Sequence, residues 1–336
     1  MSKIRFGVLG AARIAHRLVR AMRESDYATP VAVAARDSSR AREFADRHGL
    51  EVYADYAALV SSPAVDAVYI PLPNHLHAPW ALRALEAGKH VLLEKPFTMN
   101  NDEAALVLEA AAARGLVAME AFMYRYHPQF TRALEIVRAG TLGELRFVRA
   151  NFGVNLGNPD DFRWRRSLGG GALFDVGCYC VNALLLVAGA TPTAAWARQT
   201  RGSLADVPEG EQVDVDFNGG LEFGDLRASF DCSFRQARHQ RLEIIGHDGV
   251  LTLNEPFLLS EHDAAHLTLN AQTLILEPAD RFRAMIEHFS RVALGLESPR
   301  FDAPEHAANP VAQMRALDAL RDVAVEGPPA AGLRER

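Results

Sequence analysis

Cysteine is scarce in this chain, with three in 336 residues. Cys178, Cys180 and Cys232 cannot build a disulfide framework, and their odd number suits a reducing compartment. Cys178 and Cys180 lie two apart with no second pair, so a cysteine-built zinc centre is not expected, nor any other metal. Positive charge is not in excess either. Lys plus Arg total 36 against 42 for Asp plus Glu, a formal net charge of −6, whereas nucleic acid and anionic membranes select basic surfaces. The most apolar run, residues 176–190, carries Asn182 and is shorter than the roughly 18 to 20 residues of a membrane span. No apolar leader precedes the first strand-like segment, and no internal repeat or low-complexity tract is visible. These absences point to a soluble cytoplasmic protein without nucleic-acid or membrane partners.

What is present is the material of an ordinary globular core, 49% hydrophobic and 23% charged, which excludes wholesale disorder. At about 150 residues per domain the length suits two domains. Through the first 120 residues, short runs that are apolar throughout (4–9, 31–35, 67–70, 90–93, 117–121) alternate with helical periodicities (13–24, 38–48, 77–87, 100–114). Ser38 reads as the cap of the second helix, and Gly49 as its end. Strands without a polar side are buried on both faces, as in a parallel sheet covered by helices. The expectation is an α/β chain: a doubly wound Rossmann domain over residues 1–122. Beyond it the pattern changes. Alternating segments at 226–233, 241–245, 249–253 and 273–276 predict a large, mainly antiparallel sheet in an α+β domain over 123–330. Helices are expected at 128–139, 173–187, 281–295 and 305–326. The sheet is expected to turn an apolar face outward, which requires a partner copy.

Several clusters of residues carry chemistry. Gly10, Ala12 and Ala15 have the spacing of a dinucleotide fingerprint at a strand-to-helix turn, where small residues let backbone amides approach a pyrophosphate. A tight turn packed with small residues has the same spacing. At the end of the second strand, Arg36 and Arg40 flank a helix N-terminus, a favourable place for a 2′-phosphate; solvated helix-entry charges are the alternative. Asp37 lies one position late for the usual acidic role and keeps NAD open as a weaker cofactor. Leu72, Pro73, Asn74 and His77 follow the run 67–70 and border the crevice, with helix capping as the second reading of His77. Glu94-Lys95-Pro96 follows the next run, 90–93, where the proline holds Lys95 extended. Gly169-Gly170-Gly171 leads into Asp175 and Tyr179, which are i,i+4 on one helix face.

These residues, in this order, resemble the Gfo/Idh/MocA oxidoreductases. The shared features are the turn of Gly10, Ala11, Ala12, Arg13 and Ile14, residues 71–77, Glu94-Lys95-Pro96, residues 120–127 (Glu-Ala-Phe-Met-Tyr-Arg-Tyr-His), Trp164-Arg165, and residues 169–179. The resemblance implies that Lys95 and Tyr179 are a catalytic pair, with Asp175 the acidic residue one turn before. It implies that Arg125, Trp164 and Arg165 reach NADP from the second domain, and that the large sheet forms a homodimer or homotetramer. The implied activity is NADP-dependent hydride transfer at a hydroxyl-bearing carbon of a sugar or polyol, foremost an aldose oxidised at C1. Alternatives are a trans-dihydrodiol dehydrogenase or sugar-ketone reductase on the same site, or a non-catalytic sensor of NADP or sugar.

Overall fold

A run such as Phe6, Val8 and Leu9 has no polar side to turn to water and needs cover on both faces; all three are fully buried. In the structure, a computed structural model describing residues 3–204, 207, 209–303 and 305–327, they form β1 (Ile4–Leu9). With β2 (Ala28–Ala34), β3 (Glu51–Val52), β4 (Ala67–Ile70), β5 (His90–Leu93) and β6 (Ala118–Glu120) it makes a parallel sheet ordered β3-β2-β1-β4-β5-β6. The winding reverses between β1 and β4, which opens a crevice at their carboxyl ends. The covering helices are α1 (Ala15–Glu24), α2 (Ser38–His48), α3 (Tyr56–Ser61), α4 (His77–Glu86) and α5 (Asn101–Ala112). The cap of α2 is Asp37 rather than Ser38. Its carboxylate accepts from the amides of Ser39 and Arg40, a role that an ionised acceptor at a helix N-terminus fills well.

The second unit begins with α6 (Pro128–Arg138), started by a proline at its first position. Its sheet has nine strands: β7 (Leu145–Asn155), β8 (Ala194–Gly202), β9 (Val213–Phe223), β10 (Leu226–Ser233), β11 (Arg235–Gly246), β12 (Val250–Asn254), β13 (Ala265–Leu269), β14 (Gln272–Leu276) and β15 (Ala324–Glu326). They are ordered β14-β13-β12-β11-β7-β10-β9-β8-β15. Neighbours are antiparallel except β7 with β10 and β8 with β15. The inner face is apolar, with Val148, Ala150 and Phe152 on β7 and Ala228, Phe230 and Cys232 on β10 buried. It packs against α7 (Cys178–Ala188), where every residue from Cys178 to Val187 is buried. The helical stretch Arg166–Ala188 is long and apolar enough to cross a membrane, yet 89% of its apolar window lies inside the fold. Burial in the core accounts for its hydropathy.

The outward face departs from the expectation. Arg149, Asn151, Ser229, Asp231, Arg241 and Glu243 alternate with the buried residues and line a shallow cavity of about 280 Å³. The centre of this face is polar and charged rather than apolar, with Trp196, 51% exposed, bordering the same cavity.

Two compact units account for the chain: Met1–Tyr126 with Asp280–Ala303, and His127–Ala279 with Pro304–Arg336. The helix α8 (Arg281–Ala293), expected with the C-terminal domain, therefore belongs to the first unit. Its buried stripe of Phe282, Met285, Ile286 and Phe289 packs on α1 and the sheet, with Phe289 and Phe6 ring centres 5.4 Å apart. The last helix, α9 (Pro310–Asp322), stays with the second unit. There Gln313 donates to the carbonyl of Cys178 at 2.9 Å.

Burial holds several histidines neutral. His77 is fully buried and pushed down to about 4, and burial also lowers His16 and His48, whose ring nitrogens lie 2.7 Å apart. A depressed folded value means that stability is full above the ordinary value near 6.5 and is lost as pH falls toward about 4. His77 alone accounts for about 3 kcal/mol over that window. Calorimetry should show the melting temperature falling between neutral pH and pH ~5, with a shallower fall in His77→Gln. An identical slope in the variant would remove His77 from the account.

Candidate active site

The turn after β1 leads into α1, whose N-terminus has no acidic residue in its first turn and no side-chain cap among the described residues. The amides of Ala15 and Arg17 already donate to the carbonyls of Ala12 and Ile14 at 3.0 Å, so what this end offers an anion is the positive end of the helix dipole. Gly10 adopts φ +114°, where a side chain is strained, and its amide donates to Ala34 at 2.7 Å. Ala11, Ala12 and Ile14 are half-buried and Arg13 is exposed. Arg40 reaches from α2 to the carbonyl of Ala11 at 3.3 Å, and Arg36 is exposed at the end of β2. Asp37 is occupied by capping. The Ser39 hydroxyl, then the Arg40 and Ser39 amides, hold it below the usual carboxylate range.

Leu72 and Asn74 are buried after β4, and the short turn Asn74–Leu76 delivers His77. The His77 ring lies 2.8 Å from the carbonyl oxygen of Leu72 and 2.9 Å from that of Pro96. As a neutral ring it can donate to only one of these two carbonyls, and it packs between the loops after β4 and β5 rather than facing the crevice. Tyr69 donates to Glu94 at 2.7 Å, and Glu94 faces the Lys95 amide at 3.3 Å. The chain has only three lysines. Lys3 donates to Ser25, and Lys89 to the carbonyls of Ser62 and Val65. Lys95 is the third, half-buried at the carboxyl end of β5 and joined to Pro96 by a cis peptide.

Arg125 belongs to the first unit, not the second. It is fully buried, 3.5 Å from Glu120, 3.4 Å from Asp302 and over the Phe122 ring at 4.7 Å. Burial pushes Glu120 up to about 8 and raises Asp302 as well. One cation cannot neutralise two carboxylates, so the cluster favours keeping a proton.

In the second unit, Trp164 is buried against Phe234 with ring centres 5.4 Å apart, and its indole N–H has no partner among the described residues. Arg165 is exposed. The helix that carries Asp175 and Tyr179 does not run evenly from residue 173. It opens with a π turn, Leu173–Gly177, before α7, a wider turn that alters the expected i,i+4 register. Asp175 pairs with Arg163 at 2.8 Å, and Arg163 also pairs with Asp161 at 3.0 Å. The charge of Asp175, then that of Asp161, holds Arg163 firmly protonated. Tyr179 is buried, with Phe152 and Phe257 ring centres 5.5 and 5.6 Å away. Asp214 accepts the Leu173 amide at 2.6 Å and is pushed up to about 7 by burial. Gly171, at φ +116°, has no room for a Cβ beside that carboxylate. Sequence reasoning missed Arg163, Asp214 and Asp302, and assigned Glu120 no role.

Residues 4–122 match the Gfo/Idh/MocA oxidoreductase family's NAD-binding Rossmann fold, and residues 130–252 match its C-terminal domain. The chain is 38% identical over 329 residues to D-xylose 1-dehydrogenase (NADP(+)) 2 of Haloferax volcanii, spanning 96% of this chain and 98% of that one. It is 32% identical over 258 residues to trans-1,2-dihydrobenzene-1,2-diol dehydrogenase of Sus scrofa, 75% of each chain. The crystal structure of a 3-ketoreductase from Actinomadura kijaniata in complex with NADP and TDP-benzene is similar over 97% of this chain and 99% of that one. Its TM-score is 0.87 at 32% identity. Tyrosine-to-phenylalanine, lysine-to-alanine and lysine-to-glutamate variants of that ketoreductase are also solved. Taken with the parallel sheet and the uncapped helix that follows its first strand, these matches establish that the chain belongs to the Gfo/Idh/MocA oxidoreductase family.

Proposed function

We propose that this NADP-dependent, sugar-related oxidoreductase is an aldose 1-dehydrogenase in which Lys95 and Tyr179 handle the proton. The observation that carries the proposal is Lys95 itself, at a strand's carboxyl end beside the crevice while the two other lysines serve as backbone clips. The lysine and tyrosine varied in the Actinomadura ketoreductase are separated in sequence by as many positions as Lys95 and Tyr179. The N-terminus of α1, without a side-chain cap or acidic residue in its first turn, and the exposed guanidiniums of Arg36 and Arg40 fit a pyrophosphate and a 2′-phosphate respectively.

NADP, when bound, supplies the redox chemistry by taking up a hydride at C4 of its nicotinamide. The protein's task is the hydroxyl proton. Tyr179 accepts it as phenolate, and its ordinary value near 10 has to fall for that. Apolar neighbours such as Phe152 and Phe257 work against the fall, so the Lys95 ammonium must outweigh them. Lys95 also donates to the oxygen on which charge develops. Glu94 orients Lys95, and Asp175 is kept in place by Arg163. Run in reverse, the same groups would reduce a sugar ketone; the likeness to the 3-ketoreductase favours that second reading.

Assaying NADPH formation over aldoses, sugar alcohols and cyclic diols tests the substrate class, with D-xylose expected among the oxidised compounds. No turnover of any aldose would refute the C1 assignment. NADP should bind about tenfold more tightly than NAD, roughly 1.4 kcal/mol, and Arg36→Asp should erase the difference in a fluorescence titration. Tyr179→Phe should cut kcat about 10²–10⁴-fold with little change in NADP affinity. Lys95→Met should be at least as damaging, and the double variant little worse than either. Near-normal turnover by folded Tyr179→Phe would defeat this mechanism. The outward sheet face carries Arg149 and Arg241 beside Asp231 and Glu243, a self-complementary set for a second copy across a two-fold axis. Light scattering should find a dimer or tetramer that Arg241→Glu weakens, whereas a monomeric wild-type chain would contradict this assembly.

A further inference from the structure

The peptide group that joins Pro96 to Phe97, the first after the Lys95–Pro96 bond, meets a side chain at each end. The His77 ring lies 2.9 Å from the carbonyl oxygen of Pro96, and Glu120 Oε1 accepts the amide of Phe97 at 2.9 Å. Both side chains are fully buried. Glu120 ends β6, the strand paired with β5, so the turn is held against its own neighbour in the sheet. The charged groups around Glu120 are Arg125, Asp302 and Glu94. Asp302 also accepts the Glu120 amide at 3.3 Å, while Glu120 Oε2 makes an ion pair with Arg125 at 3.5 Å and no hydrogen bond among the described residues. A buried carboxyl of this kind is weak evidence for stability, because an apolar residue of similar volume often serves a core as well. Its geometry instead serves the turn.

We infer that Glu120 is a positioning residue for Lys95: by holding the Phe97 amide, it fixes the turn that directs the lysine. The inference rests on the catalytic reading of Lys95 given above. Burial keeps protonation of Glu120 within reach of neutral pH, and either protonation state retains an acceptor for Phe97.

The scarcity of lysine supplies the test. Acetic anhydride labelling of the full-length chain, mapped by mass spectrometry, reports three lysines at once. Lys3 serves as the exposed reference, and Lys89, buried and bonded to two carbonyls, reports opening of the fold. Glu120→Leu removes the acceptor and should lower kcat about 10–100-fold, the scale of a small misplacement of a reacting group. NADP affinity should barely move. Lys95 should label several-fold faster relative to Lys3, with Lys89 unchanged. Glu120→Gln keeps an acceptor and should restore most of the turnover and the slow labelling. Wild-type kcat and Lys95 labelling in Glu120→Leu would overturn the inference, as would a loss of activity that rises and falls with Lys89 labelling. Full activity in Lys95→Met would overturn the catalytic reading instead, and Lys95 labelling in Glu120→Leu would still judge the turn.

Discussion

A parallel sheet sends the carboxyl ends of all its strands to one edge, and that constraint organises the chemistry of the first unit. The Gly10 turn leaves from β1, Arg36 from β2, Asn74 from β4 and Lys95 from β5, so four separated stretches of chain reach one edge without any direct attraction between them. The ladder uses the polar groups of the strands but not those of the turns. Side chains can satisfy the latter, as Glu120 does for the amide of Phe97 in the turn after Lys95.

Buried carboxyls recur in this capacity. Glu120 holds the amide two residues after Lys95, and Asp214 holds the amide of Leu173, which opens the helix carrying Tyr179. Burial raises both, yet each accepts a backbone donor that would otherwise be left unsatisfied at a cost of about 1–3 kcal/mol. What such a group adds is a fixed geometry, and both stand behind segments that carry reactive side chains.

How far the sequence was legible follows the range of the interactions. The buried strands of the first unit showed themselves because every residue in them is apolar, and the Gly10 turn and Glu94-Lys95-Pro96 are local patterns. The two-residue β3 and the short α3 have too few residues to show a period. In the second unit, β9 alternates cleanly through Val213, Val215 and Phe217 but passed without assignment, and the π turn ahead of α7 leaves no mark in hydrophobic periodicity. Partners of the candidate site lie beyond the reach of any local pattern. Glu120 bonds across 23 positions, Asp214 across 41, and Asp302 reaches the Glu120 amide across 182. The amphipathic stripe of α8 likewise announced a buried face without naming the sheet that buries it.

That helix also imposes an order on synthesis. At roughly 5–20 residues per second, a ribosome releases β1 to β6 well before it reaches residue 280. Throughout that interval the surface of α1 and β1 that receives Phe282, Met285, Ile286 and Phe289 has no cover. The nucleotide-binding unit starts first and finishes late, after most of the second unit has been made. During its birth the nascent chain carries an open apolar seam, the kind of surface that chaperones shield.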